Sequence, residues 1–137
     1  MRNVTSDKGL LEILLSEGHD FFTGVPDSGL KRFISELEVL PPGMHVTATW
    51  EAEAVAIAAG SVLAGRKPCV YLQNAGLGHT VNPLTSLCIP YDLRPTLVVG
   101  HRHGLPQHRV MGAIDSQLIE LMAWNEAILV GGDNNEQ

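Results

Sequence analysis

Apolar positions along this chain switch repeatedly between two rhythms. Leu10, Leu11, Ile13, Leu14 and Leu15 recur at the three-to-four-residue spacing of a helix buried on one side. Thr5 or Ser6 is placed to cap that helix, and Gly18 to end it. "DFFTGV" then reads as a strand, and "PDS" turns the chain into a helix through Leu30, Phe33, Ile34 and Leu37. "PPG" breaks it. A strand "HVTAT", an Ala-rich helix "EAEAVAIAAGSVLAG" and a strand "PCVYLQ" follow. Next come the loop "NAGLG", a helix near residues 79–88 and a strand "PTLVVG". Residues 101–112 are polar and irregular, "AIDSQLIELMAW" is helical, and "AILVG" is a closing strand.

Strands alternating with helices predict an α/β fold: a mostly parallel sheet flanked by helices on both faces. The expectation is a single domain over residues 5–131, with 132–137 as a tail. Ligands of such sheets gather at the carboxyl ends of the strands. The loops "GVPDS", "TWEAE", "QNAGLG" and "GHRHGLPQH" all fall there, and they are the most polar and glycine-rich stretches of the chain. One site built from all of them is the economical expectation.

Composition narrows the function. The 137 residues carry a net charge of −6, which disfavours a nucleic-acid or anionic-membrane surface. No apolar run reaches the roughly 18 residues of a membrane span, and the N-terminus has no apolar signal core. Cys69 and Cys88 lack metal or redox spacing; Cys69 reads as core, and a reduced, cytoplasmic protein is expected. There is no GxGxxG after a strand, no P-loop and no GxSxG elbow. The cluster "HRHGLPQH" lacks cysteine and contains Arg102, so a substrate-facing loop is expected there and no metal.

An acid opens the Ala-rich helix. Val55, Ala58 and Val62 share a face with Glu51, so its carboxylate is expected to point toward apolar surroundings and to want a polar partner. Glu53 shares a face with Ile57, and periodicity does not choose between the two.

"FFTGVPDSGLK", "WEAEAVAIAAG", "LQNAGLGHTVNPLTSL" and "PQHRVMG" occur together and in order. With them the chain, from about residue 5 to 125, resembles the pyrimidine-binding domain of thiamine-diphosphate-dependent decarboxylases, nearest to the phosphonopyruvate and sulfopyruvate decarboxylase group. The resemblance implies that Glu51 hydrogen-bonds N1′ of the aminopyrimidine and drives the tautomer shift that activates the thiazolium. It implies that Gly24, Pro26, Gln73, Asn74 and Gly76 line the cofactor. Asp27, Ser28, Arg102 and Gln107 would face the substrate, and His108 would donate a proton or bind it. Trp50 stands where relatives have a polar residue, and Leu105 where they have Glu.

The same resemblance implies half an active site. The GDG…N motif that holds the diphosphate and its Mg²⁺ is absent here. A separate diphosphate-binding (beta) subunit, in a hetero-oligomer such as α2β2, is therefore expected to share the thiamine diphosphate and hold the Mg²⁺. The expected reaction is decarboxylation of a small 2-oxo acid. The basic loop 101–109 suggests a second anionic group on it, which Arg102 would read. Another thiamine-dependent lyase or carboligase, or a non-catalytic subunit keeping the fold, are the alternatives.

Overall fold

The computed structural model describes residues 1–131; the expected tail, 132–137, lies outside them. Among the described residues, strands β1 (Arg2–Val4), β2 (Phe21–Gly24), β3 (His45–Thr47), β4 (Pro68–Gln73), β5 (Thr96–His101) and β6 (Ala127–Gly131) form one sheet. Its order is β1-β6-β5-β4-β2-β3, and every pairing is parallel. All the strands therefore end at one edge, which carries the expected loops.

Alternation along the central strands explains why both faces are covered. Cys69, Tyr71 and Val98 point to a core shared with helices α1 (Leu10–Ser16) and α2 (Lys31–Leu37). Val70, Leu72, Leu97 and Val99 point to the opposite core, with helices α3 (Glu51–Leu63) and α5 (Arg109–Leu121). Small residues line the inner side of α3, where Ala54, Val55, Ala58 and Ala59 are buried and let the helix sit close to the sheet. Gly24 serves the same end, because a Cβ there would collide with the carbonyl and ring of Tyr71 on the neighbouring strand.

The chain runs from β2 outward to β3, then crosses back to β4 and on through β5 and β6. The direction of winding reverses between β2 and β4, the place where sheets of this kind bind ligands beyond the strand ends.

Several elements differ from the sequence expectation. β1 is new: "RNV" has no periodicity, and it becomes a strand by pairing with β6. α1 is not capped by Thr5 or Ser6; Gly9 takes that position with φ 71°, a left-handed conformation that glycine adopts at little cost. Asp7 instead accepts a hydrogen bond from the Phe33 amide, joining the α1 approach to α2. "NAGLG" is no open loop but part of a 3₁₀ run, Asn74–Thr80. A single α turn, α4 (Val81–Pro83), and a π stretch, Leu84–Cys88, replace the expected regular helix. α5 begins at Arg109, four residues early, because Pro106–His108 form a 3₁₀ turn that leads into it.

Candidate active site at the strand ends

The candidate site gathers acids and amides at the sheet's carboxyl edge. α3 starts directly after β3 and its following turn, which places Glu51 and Glu53 in the first helical turn. The two acids then part company. Glu53 curls back onto the turn before the helix and accepts hydrogen bonds from the Thr49 amide and hydroxyl, each at 3.0 Å. This satisfies donors that a helix start leaves open. Glu51 is half-buried and has no hydrogen-bond partner among the described residues. Val55 and Ala58 on its side of the helix are fully buried, as its spacing predicts.

Gly76 faces Glu51. A Cβ at Gly76 would strike the Glu51 carboxylate, so the glycine is required by close approach rather than by backbone conformation. Trp50, exposed just before Glu51, stacks edge-on against His79, ring centres 5.6 Å apart.

A second group ties the β2 and β5 loops together. Arg102 Nη1 donates to Asp27 Oδ1 at 3.1 Å and to the Ser28 hydroxyl at 2.8 Å. Asp27 lies over β5, where a Cβ on Gly100 would overlap its other carboxylate oxygen. That oxygen, Oδ2, is buried and without a hydrogen-bond partner. Burial pushes the Asp27 carboxyl up from its ordinary range, and the Arg102 guanidinium opposes the rise.

A third group joins the β4 end to α5. Gln73 Nε2 lies 3.4 Å from His108 Nε2. Asn74 is fully buried; its Nδ2 donates to the Arg102 carbonyl and to Asp115 Oδ2, both at 2.9 Å. Asn74 is thus a structural clamp between loops, with only its buried Oδ1 unpartnered.

The expected residues therefore meet in three small sets: Glu51 with Gly76, Asp27 and Ser28 with Arg102, and Gln73 with His108. Pro26 and Gln107 are exposed and stand at the rim, while Gly24 is buried within the sheet against Tyr71. Both cysteines are buried, which raises their thiols, Cys88 to about 11; neither is poised as a nucleophile. Among the described residues no group of three His, Cys, Asp or Glu could hold a metal ion, and no helix is long and apolar enough to cross a membrane.

Sequence reasoning missed Asp115. It lies at four-residue spacing from Met111 and Ile119 on the inner side of α5, and a lone acid on such a stripe was the available signal. Its carboxylate also receives His101 Nδ1 at 2.5 Å.

Fold and site together define a class: a doubly wound α/β protein that carries at its strand ends a carboxylate backed by a glycine and bonded to none of the described residues. No family model matches the chain. Individual relatives do. Over 110 residues the chain is 40% identical to a phosphonopyruvate decarboxylase of Streptomyces viridochromogenes, covering 74% of this chain and 28% of that protein. It is 35% identical over 99 residues to the sulfopyruvate decarboxylase subunit alpha of Methanothermobacter thermautotrophicus, covering 72% of this chain and 60% of the relative. The corresponding subunit of Methanococcus maripaludis is 30% identical over 104 residues, with 76% and 62% covered. The chain thus spans between about a quarter and three-fifths of the length of these relatives. Over the stretch it shares with them, the chain belongs to the phosphonopyruvate and sulfopyruvate decarboxylase family.

Proposed function

We propose that this chain is the small subunit of a two-chain, thiamine-diphosphate-dependent decarboxylase acting on a 2-oxo acid of the phosphonopyruvate or sulfopyruvate type. The observation that carries the reading is Glu51. It is a half-buried carboxylate at a helix start, on an apolar face, pressed against a glycine and bonded to no described residue. A structural acid at that place does what Glu53 does. An unpartnered one fits a ligand that brings its own nitrogen.

Thiamine diphosphate, when bound, supplies the thiazolium that takes up the electron pair released with CO₂. Glu51 would hold and exchange a proton at N1′ of the aminopyrimidine. A carboxyl kept from other partners, in apolar surroundings, suits that exchange. Gly76 keeps the wall beside Glu51 thin enough for a flat ring to approach. Gln73 and His108, whose Nε2 atoms lie 3.4 Å apart, would meet the carbonyl end of the 2-oxo acid.

Arg102 is held by Asp27 and Ser28. Its role would be to present a fixed cation, aligned by Asp27, to the remote anion of the substrate. Asp27 itself is kept in place by burial over Gly100.

Relatives bearing the name subunit alpha support the existence of a second chain, which in this reading would hold the diphosphate and its Mg²⁺. The test is purification of this chain alone and together with that second subunit, with calorimetric titration of thiamine diphosphate and Mg²⁺ and a CO₂-release assay. The expected result is neither tight cofactor binding nor turnover alone, and both on mixing. Tight binding and turnover by the isolated chain would overturn the shared-site reading.

A further inference from the structure

Helix α2 carries its charges in an order that opposes its own dipole. Lys31 and Arg32 sit in its first turn, where the open backbone amides favour an acid. Glu36 and Glu38 lie at its end, where the open carbonyls favour a base. Nothing within the chain relieves this. Arg2, Arg66, Arg94 and Arg102 each meet a carboxylate. Lys31, Arg32, Glu36 and Glu38 form no ion pair among the described residues. Arg32 and Glu36 are four positions apart, a spacing at which a helix can pair opposite charges, and still they do not meet.

The same helix stands in a hollowed surface. A cavity of about 490 Å³ is lined by Lys31, Arg32, Ser35, Glu36 and Val39. A second, of about 390 Å³, lies toward α1, where Val39 borders Leu11, Leu15 and Leu40. Phe33, Ile34 and Leu37 are buried against the sheet, whereas Val39 is 84% exposed. The Ser35 hydroxyl donates to the Lys31 carbonyl at 2.8 Å, so the middle of the outer face holds a small side chain with its hydrogen already placed.

Such a face is complementary to itself. Two copies of α2 packed antiparallel, with a two-fold axis at Ser35, set Arg32 of each copy opposite Glu38 of the other. The acids that end one helix then lie beside the amides that start the other, and the cations beside its last carbonyls, so both conflicts with the dipole are relieved together. Val39 of each copy falls opposite Lys31 of the other, at that copy's cavity, and the lysine stem covers it. An unlike partner would need only one sign of charge, or only a hole, on this face. Here cations, acids, knob and hole all lie on one short helix, matched end to end, as an isologous contact requires. The face also lies across the sheet from α3, the helix that carries Glu51, so a copy seated here stays off that helix.

We propose that the outer face of α2 is a homotypic interface through which two copies of this chain pair antiparallel. Arg32 of each copy binds Glu38 of the other, and Val39 of each fills the other's cavity. The pairing does not depend on the decarboxylase reading.

Sedimentation velocity of the full chain, from about 10 to 500 μM, tests it. One helix face is at the small end of specific interfaces, so the dimer should grow in with concentration. The mass should move from 14.8 kDa toward twice that value, and fall back as added salt screens the charges. Val39→Asp should remain monomeric throughout. Arg32→Glu alone and Glu38→Arg alone should each remain monomeric, because each sets like charges together twice. Mixed one to one, these two variants should dimerise as the wild type does, since every contact then joins opposite charges. All three side chains are exposed, so circular dichroism should be unchanged. A wild-type chain that stays monomeric at about 500 μM overturns the proposal. So does a dimer that Val39→Asp leaves intact, or charge variants that dimerise alone as well as the wild type, or a mixture that associates no better than its components. A monomeric wild type whose α2 amides gain protection from hydrogen exchange only when the second subunit is added assigns the face to that subunit and overturns the pairing of copies.

Discussion

Glu51 and Glu53 stand two residues apart on the same helix turn, and the structure assigns them opposite consequences. Replacing Glu53 by Gln removes a charged acceptor from the Thr49 amide and hydroxyl at the start of α3. Losing such a cap should cost about 1 kcal/mol, or about 4 °C in Tm for a domain of this size. Replacing Glu51 by Gln removes no hydrogen bond and leaves volume unchanged, so stability should stay within about 0.5 kcal/mol. Turnover should behave the other way round. Glu51→Gln deletes the group assigned to the proton at N1′ and should lower the rate by about 100-fold or more, whereas Glu53→Gln should keep it within a few-fold. Thermal unfolding of the two variants, paired with CO₂ release in the assembled enzyme, measures both axes. Glu51 is not the activating acid if Glu51→Gln retains near-wild-type turnover, and it is not free of structural work if that variant loses stability as Glu53→Gln does. Either result would mean that the structure distinguishes the two acids for a reason other than chemistry.

Further outcomes follow from the same geometry. Gly76→Ala should abolish turnover while the chain still folds, because its Cβ would meet the flexible end of Glu51 rather than backbone; activity and circular dichroism check it. Arg102→Ala should destabilise the protein by about 2 kcal/mol by leaving Asp27 buried without its cation, and adding Asp27→Asn should restore part of that in urea unfolding. The same Arg102→Ala should raise KM for a 2-oxo acid with a second anion more than for pyruvate. His19 is buried with Nδ1 donating to the Leu14 carbonyl and Nε2 accepting from the Thr96 hydroxyl, and burial lowers its basicity. Its contribution is full above its ordinary value of about 6.5 and is lost as pH falls below that toward the lower folded value. His19→Gln should therefore flatten the decline in stability on the acid side of pH 6.5, read from Tm against pH.

Much of the fold was legible in the chain because the signals were local. The period-2 and apolar runs of β2, β4, β5 and β6 and the inward stripe Leu30, Phe33, Ile34 and Leu37 were each set by neighbouring residues, and each appears as expected. Parallel alternation then placed the polar loops on one edge. The site was legible as a set of loops, and the resemblance carried by their motifs pointed to Glu51. Local pattern could not say which of two adjacent acids was engaged, since both fit a helix start. That was decided by Thr49 reaching one and Gly76 pressing on the other. β1 exists because β6 offers an open edge, and not because "RNV" favours a strand. Arg102 looked like a loop cation until the fold brought it onto Asp27, 75 residues away along the chain. Asp115 was one polar residue on a helix until the ends of β4 and β5 delivered Asn74 and His101 to it. Periodicity reports which way a side chain faces. Which partner it meets depends on distant strands arriving at one edge, and only the packed sheet fixes that.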